Sequence, residues 1–481
     1  MDVSKKRNVE ATARCIGWAY HDLLWFSEEE AGEATRERDA LLEAVSPWSA
    51  SAYGGSKPHI GPLSPGCLSC GAGVWSCNFF TGVCGLDCFY CPSPQGDRER
   101  PPTTEGHEFS DPEEYVQYLR TFGFTGVGFS GGDPLLALDQ LVTYVRAIRR
   151  AFGDAIYVWV YSNGQVVDRE VLGDLERAGV DEIRFDIAAA GYDLAAPALA
   201  GGFSPAVSVE VPAIPEDLEL LQSALGEMQA IGVDYLNVHQ LMVTEHNYKV
   251  FRDRGYHFLH QPDIGVFESE IAALRLMRYV GERRLGLPVN YCSNAYKDRY
   301  QGRGGRRRFA AAVHRGFEEV TDAGYIRSFQ VADSPAKTEA MVRRLDEAPG
   351  AAGRWSRDGA SASLAIHSAL IPYIDWESAE VTLRYLTPRI VLKDRTAGFA
   401  EGNLASGHET VFEHRGWTQA SLDCWRLLYD AGADRKDAFR ELYRAYPAAG
   451  KEGILKAREE VDRLESIAQW EQVETGLPEI Y

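Results

Sequence analysis

Between residues 74 and 245 the chain alternates short, β-branched apolar stretches with longer amphipathic ones, and this constrains the fold more than any other feature. Parallel strands need a crossover long enough to return to the same edge, and an intervening helix supplies it. The pattern predicts strands at 75–81, 125–129, 155–161, 182–187, 206–211 and 235–243. It predicts helices between them at 112–122, 138–152, 171–178 and 218–231. Six such β/α units make a partial barrel, open on one side, with functional residues at the carboxyl ends of its strands.

The flanks read differently. Residues 1–50 carry helical patterns in which Ile16, Ala19, Tyr20, Leu23 and Leu24 share a face, followed by the acidic stretch 27–33. From 53 to 73 the composition turns to Gly, Pro, Ser and Cys, so irregular, wrapping backbone is expected. Beyond the barrel pattern a helix is expected at 268–284, a short strand at 289–293, and a loop or helix start at the basic stretch 303–308. After residue 315 come strand-like alternation at 361–374 and 380–391, then helical patterns at 417–446 and 453–469. Three regions follow: an N-terminal helical cover with a Cys/Gly-rich loop (1–73), the barrel (74–300), and a mixed α+β, then helical, C-terminal region (301–481).

Fifty basic against seventy acidic residues leave a net charge of −20, which disfavours a phosphate backbone, so no nucleic-acid partner is expected. No apolar run approaches the roughly 20 residues that span a bilayer, so no membrane partner is expected. The first ten residues are polar and mixed in charge rather than a signal peptide, and the chain reads as cytoplasmic. Six of the nine cysteines crowd into positions 67–91, which suits metal ligation in a reducing compartment better than a disulfide framework. Cys15 and Cys424, the latter beside Trp425 and Leu428, lie in helical patterns and read as buried structural thiols.

Cys84, Cys88 and Cys91 form C-x3-C-x2-C. Thiolates this close cannot all pair as disulfides, but they can converge from one loop onto a metal centre. Zinc usually gathers its ligands in two distant pairs, whereas a cubane can take three from one loop and leave its fourth iron open. With Tyr90 in the aromatic slot, the triplet resembles the signature of the radical S-adenosylmethionine (SAM) superfamily. Gly131, Gly132, Asp133 and Pro134 resemble its second mark, a Gly-Gly-acid-Pro turn after the next strand, although the family more often has Glu where Asp133 stands. A zinc knuckle or a reduced surface loop is the alternative for the triplet.

The resemblance implies that Cys84, Cys88 and Cys91 hold a [4Fe-4S] cluster whose fourth iron takes SAM. It implies reductive cleavage of SAM to a 5'-deoxyadenosyl radical, hydrogen abstraction from a small-molecule or peptide substrate, and an electron donor of the reductase or flavodoxin type. It points to Tyr90, the 131–134 turn, Ser162 and Asn163 on strand three, Arg184 on strand four and Glu210 on strand five as cofactor contacts. Ordinary strand-end polar residues are the alternative for the last four.

Upstream, Cys67, Cys70 and Cys77 form C-x2-C-x6-C. They read as ligands of a second, auxiliary iron–sulfur cluster with Cys292 as fourth ligand, or of a zinc completed by a residue such as His59, or as structural thiols. In outline the arrangement is similar to lipoyl synthase and the methylthiotransferases, with different spacings. An auxiliary cluster would accept electrons, anchor substrate or donate sulfur, so a sulfur-inserting enzyme stands beside simple hydrogen abstraction. A non-catalytic iron–sulfur or zinc protein is the reading from another class. His239, His246, Asn247, Tyr248 and Lys249 line a substrate pocket or a satisfied polar loop, and Arg303, Arg306, Arg307 and Arg308 an anion site or a solvated one.

Overall fold

The computed structural model describes residues 8–10, 12–13, 16–17, 19–93, 101–261, 263–357, 363–374, 379–390, 408–417 and 470–480. They fall into two compact units, one of residues 8–304 with 474–481, the other chiefly of 305–393 and 404–473.

The first unit begins with helix α1 (Glu28–Val45). The acidic stretch is its opening turn: Ser27 and Glu30 form a capping box, and carboxylates there complement the helix dipole. Leu24 departs from the expected apolar face. It lies on a two-residue strand paired with His257–Phe258 and is 47% exposed, whereas Ile16, Ala19 and Leu23 are buried. The 53–73 segment is more regular than its composition suggests. Lys57–Ile60 is a strand and Pro65–Gly71 a short helix, α2, started by the Ser64 side chain accepting from Cys67 N and by proline in the first turn.

Seven parallel strands follow: β1 (Trp75–Thr81), β2 (Gly126–Gly131), β3 (Tyr157–Ser162), β4 (Glu182–Phe185), β5 (Ala206–Pro212), β6 (Tyr235–His239) and β7 (Val289–Cys292). They pair in sequence order, each parallel to the next. The stretch expected at 289–293 thus joins the barrel sheet as its seventh strand. Lys57–Ile60 closes that edge antiparallel to β7, and the short strands Thr103–Thr104 and His107–Glu108 extend the other, so the sheet is not closed on itself.

Helices α3 (Pro112–Phe122), α4 (Leu138–Phe152), α5 (Arg169–Ala178), α6 (Leu218–Ala230) and α7 (Phe267–Arg283) belong to this unit. Their ends follow from local chemistry: Asp111 and Asp168 cap α3 and α5, and Gly123 and Gly179 end them in the left-handed conformation. Val158, Val160, Val207, Val209, Val211, Leu236 and Val238 are buried in one cluster with Leu141, Leu172, Leu225 and Met277 of the helices. Each such fully buried side chain contributes about 1.5–3 kcal/mol. The alternate residues face the other way, and among them are Trp159, Tyr161, Arg184, Glu210, Asn237, His239 and Cys292.

The second unit is built on an antiparallel sheet in which Ile326–Ala332 pairs with Ser363–Ile366 on one side and Glu380–Ile390 on the other. Helix Pro335–Glu347 contributes Met341 and Leu345 to a core with Phe329, Leu364, Leu383 and Trp470. Buried Arg327 is neutralised by Glu319 and Glu471 at 3.2 and 2.7 Å. The strand expected over 361–374 stops at Ile366, where His367 caps a 3₁₀ segment, Ser368–Tyr373. The 303–308 arginines lie on helix Arg303–Val313, where Arg306 donates to Ala323 O and Arg307 pairs with Asp322. The sequence expected to be helical from 417 opens with Trp417 at the end of strand His408–Trp417. The rest of it to 446, the 453–469 stretch, Cys15 and Cys424 lie outside the described residues. No helix among the described residues is long and apolar enough to cross a membrane.

Candidate active site

The cysteine loop leaves the carboxyl end of β1, and backbone geometry ties it to the turn after β2. Gly132 N donates to Thr81 O at 2.6 Å and Asp133 N to Val83 O at 2.7 Å. Only glycine fits at 131 and 132: Gly131 has φ +113°, and a β-carbon at either position would overlap the Thr81 or Val83 carbonyl. The Asp133 carboxylate then joins three segments. It accepts from Leu135 N at 3.0 Å, which starts the Pro134–Ala137 turn, and from Ser162 Oγ at 2.9 Å and Asn163 N at 3.0 Å at the end of β3. Asn163 Nδ2 returns to the loop, 3.4 Å from Cys84 O and 3.5 Å from Cys84 Sγ.

The far end of the loop is held from two other elements. Tyr90 OH donates to Asp186 Oδ2 at 2.9 Å, just beyond β4, while Asp186 Oδ1 accepts from Ala188 N and Ala189 N. Burial pushes the Asp186 carboxyl up to about 6. Buried Asn247 donates to Tyr90 O, Cys91 O and Met242 O at 3.4, 3.3 and 3.0 Å. Tyr248 packs in the same apolar cluster as Phe89 and Tyr90. Cys84, Cys88 and Cys91 stay partly exposed, and burial pushes the Cys88 thiol up to about 11, so metal binding there must release a proton.

Cys84, Cys88, Cys91, Tyr90, the 131–134 turn, Ser162 and Asn163 are thus brought together. Arg184 and Glu210 lie elsewhere. Arg184 is buried among Glu182, Glu210 (2.9 Å) and Ser64 (3.1 Å), over the rings of Trp159 and Tyr161, and its Nη2 lies 3.8 Å from Cys67 Sγ. Glu210 also accepts from Asn237 at 3.1 Å. Both residues therefore face the upstream thiols.

Those thiols are divided. Cys67 and Cys70 are buried on α2, which packs closely enough that a β-carbon on Gly66 would meet Arg184 and Trp159. Cys292, at the end of β7, lies 3.1 Å from Lys57 Nζ. Tyr296 OH, 3.5 Å away, and Gln301 Nε2 both contact Cys70 Sγ. Burial raises the thiol pKa of Cys67, and that of Cys70 to about 12. Cys77 is on β1 with Sγ 3.4 Å from Ser130 Oγ, reachable by solvent although protein surrounds it. His59 turns to Gly61 O, 2.8 Å from Nδ1. As they stand, no three His, Cys, Asp or Glu side chains among the described residues surround one point closely enough to hold an ion, so either triplet has to draw in on binding.

Sequence reading passed over Lys57, Asn237, Tyr296 and Gln301, because nothing local marks them. Of the two readings of Asn247, a pocket residue or a satisfied polar one, its contacts are those of the second, and they tie down the cysteine loop. His239 lines the barrel interior, its imidazole pushed down to about 3 by burial and then by Lys297 and Lys57.

Three comparisons bear on this arrangement. Residues 78–211 match the model of the Radical SAM superfamily. A Methanocaldococcus jannaschii protein provisionally named a glycyl-radical enzyme activating enzyme is 28% identical over 302 residues, 59% of this chain and 78% of the relative. Among solved structures, Streptococcus suis SuiB bound to its precursor peptide SuiA aligns over 46% of this chain at 11% identity and a TM-score of 0.33. The radical SAM methyltransferase TsrM from Kitasatospora setae aligns over 39% at 14% identity and a TM-score of 0.29. This chain spans less than half the length of either, 48% and 41%. The glycine turn and all three loop cysteines fall within the matched residues, so residues 78–211 are a radical SAM superfamily domain and the chain is a radical SAM enzyme.

Proposed function

We propose that this enzyme abstracts hydrogen from a polypeptide substrate, with Cys84, Cys88 and Cys91 holding the SAM-binding cluster. The observation that carries the reading is the double tie between the cysteine loop and the Gly131–Pro134 turn, at Thr81 O and Val83 O. The superfamily implies a [4Fe-4S] cluster and SAM, and the residues present fit both. The loop offers three partly exposed soft donors, and the adjoining turn lacks the β-carbons that would block a close approach. When bound, the pair supplies a 5'-deoxyadenosyl radical that removes a hydrogen atom; the chain's own residues do the positioning.

Asn163 orients Cys84, and Tyr90 with Asp186 holds the loop against the end of β4. Asn247 fixes the backbone from Tyr90 to Cys91, and Asp133 keeps the glycine turn in register with Ser162 and Asn163. Tyr90, Gly131, Gly132, Pro134, Ser162 and Asn163 form the SAM side of the site in this reading. Arg184 and Glu210, turned inward, belong to the substrate side. Residues 74–300 act as the catalytic barrel, with 1–73 as its cover and 301–481 appended. An auxiliary iron–sulfur cluster on the upstream thiols belongs to the same reading. So do an electron donor and a reducing, cytoplasmic setting, which thiolate-held clusters need.

The polypeptide substrate is supported by the name of the M. jannaschii relative, which places that protein among activators of glycyl-radical enzymes. Anaerobic reconstitution with dithionite and SAM should yield 5'-deoxyadenosine. Added desalted protein from cells grown on deuterated glycine should pass deuterium into it. Product without deuterium would retain the SAM chemistry and reject the glycyl substrate; no product at all would reject both.

A further inference from the structure

We infer that the auxiliary cluster is held by Cys67, Cys70 and Cys292 beside the ammonium of Lys57, and that Cys77 is not among its ligands. The inference rests on the reading that the upstream thiols carry a second cluster, and it departs from the grouping that their spacing suggests. Cys67 and Cys70 stand three residues apart on α2, hence on one helical face, and are 5% and 8% exposed. Cys292 comes to them from β7. The link is Lys57, whose Nζ lies 3.1 Å from Cys292 Sγ and 4.3 Å from the ring centre of Tyr296, while the Tyr296 hydroxyl lies 3.5 Å from Cys70 Sγ.

Hydrogen-bond donors converge on these sulfurs. Lys57 faces Cys292, Tyr296 and Gln301 face Cys70, and Arg184 faces Cys67. Donors aimed at sulfur are what metal-bound thiolates accept, and they tune the cluster they surround. The charge is as telling. Lys57 is 1% exposed, and among the described residues no carboxylate pairs with it. A buried ammonium without an anion is costly, and a cluster bound by three thiolates supplies negative charge at that spot. Arg184 needs no such partner, because Glu182 and Glu210 already flank it at 2.9 Å. Among the described residues the one hydrogen-bond contact of the Cys77 sulfur is the neutral Ser130 hydroxyl, whereas charged donors face Cys292 and Cys67. Three thiolates also leave one iron of a cubane for a ligand from outside this set.

The test uses the full chain reconstituted anaerobically with iron and sulfide. A Cys84→Ser/Cys88→Ser/Cys91→Ser variant should keep about four iron and four sulfide per chain. Adding Cys292→Ser should bring iron close to zero, and adding Cys77→Ser should leave it unchanged. In that background Lys57→Met should keep the iron but lower the cluster's midpoint potential, read by EPR titration, and Lys57→Arg should restore it. The proposal is overturned by a triple variant without iron, by one zinc in its place, by iron loss with Cys77→Ser, or by iron retained with Cys292→Ser. It is equally overturned by a potential indifferent to Lys57→Met. Cys292→Ser in the otherwise wild-type chain must keep a SAM-sensitive EPR signal from the Cys84 site. Loss of that signal marks an unfolded variant, and the Cys77 and Lys57 variants then decide. A wild-type chain with no SAM-sensitive cluster counts against the proposed function instead.

Discussion

The two cysteine triplets of the barrel unit differ in what holds the sulfurs. Cys84, Cys88 and Cys91 sit within eight residues on one loop, partly exposed, and the surrounding hydrogen bonds fix mainly the loop's backbone, through Val83, Tyr90 and Cys91. Cys67, Cys70 and Cys292 come from a helix and a distant strand, and side-chain donors face the sulfurs themselves. The first arrangement leaves room for a ligand from solution. The second surrounds its sulfurs with charge and rings, which suits a centre whose properties the protein sets.

The largest effect that would break this contrast is chemical. Cys88→Ala should reduce 5'-deoxyadenosine to background by chromatography, while the iron attributable to the upstream thiols survives; loss of both together would mean one shared centre. Next in size is Asp133→Ala, which strips a buried acceptor from Leu135, Ser162 and Asn163 at once. It should cost about 3 kcal/mol in urea unfolding of the metal-free chain, and a change below the error of the measurement would remove Asp133 as the joint between loop, turn and β3. Asn247→Ala should cost less, about 1–2 kcal/mol. Its sharper readout is chelator kinetics, with faster iron loss from the Cys84 site and no change at the upstream one. Equal acceleration at both would deny that Asn247 acts on the loop.

The smallest effect concerns pH. His239 is held neutral in the fold down to about 3 but titrates near 6.5 when unfolded. Below about pH 6.5 the unfolded chain therefore binds the extra proton, so stability falls as pH drops toward 3, by at most about 1.4 kcal/mol per unit, and is unaffected above that window. Unfolding free energies from urea titration of the metal-free chain at pH 7 and 5.5 should differ by roughly 1 kcal/mol more in wild type than in His239→Gln. Parallel behaviour of the two proteins would show that the imidazole is not confined as the fold implies.

Much of the barrel was readable in advance because its signals are local. The helices at 112–122 and 138–152 match their expected bounds, since Asp111, Pro112 and Gly123 delimit the first and strong apolar periodicity the second. Strand ends were less exact: the stretch expected to run to 243 stops at His239, where Gln240 N turns to donate to Cys292 O. Helix α2 was missed because its seven residues are rich in Gly, Ser and Cys. Such a helix is stabilised by a cap and by packing against Trp159 and Arg184 rather than by propensity.

The site divides along the same line. The Cys84 loop and the Gly131–Pro134 turn were legible from the sequence, because both are short motifs marked by local spacing, even though distant residues such as Asn163, Asp186 and Asn247 hold them in place. Tertiary structure decided that Arg184 meets Glu210 and Cys67, that the Cys77 sulfur meets Ser130, and that Lys57 meets Cys292. Those placements depend on strand order and on the alternation of side chains across a curved sheet. They bring together residues from 26 to 235 positions apart that no local spacing relates.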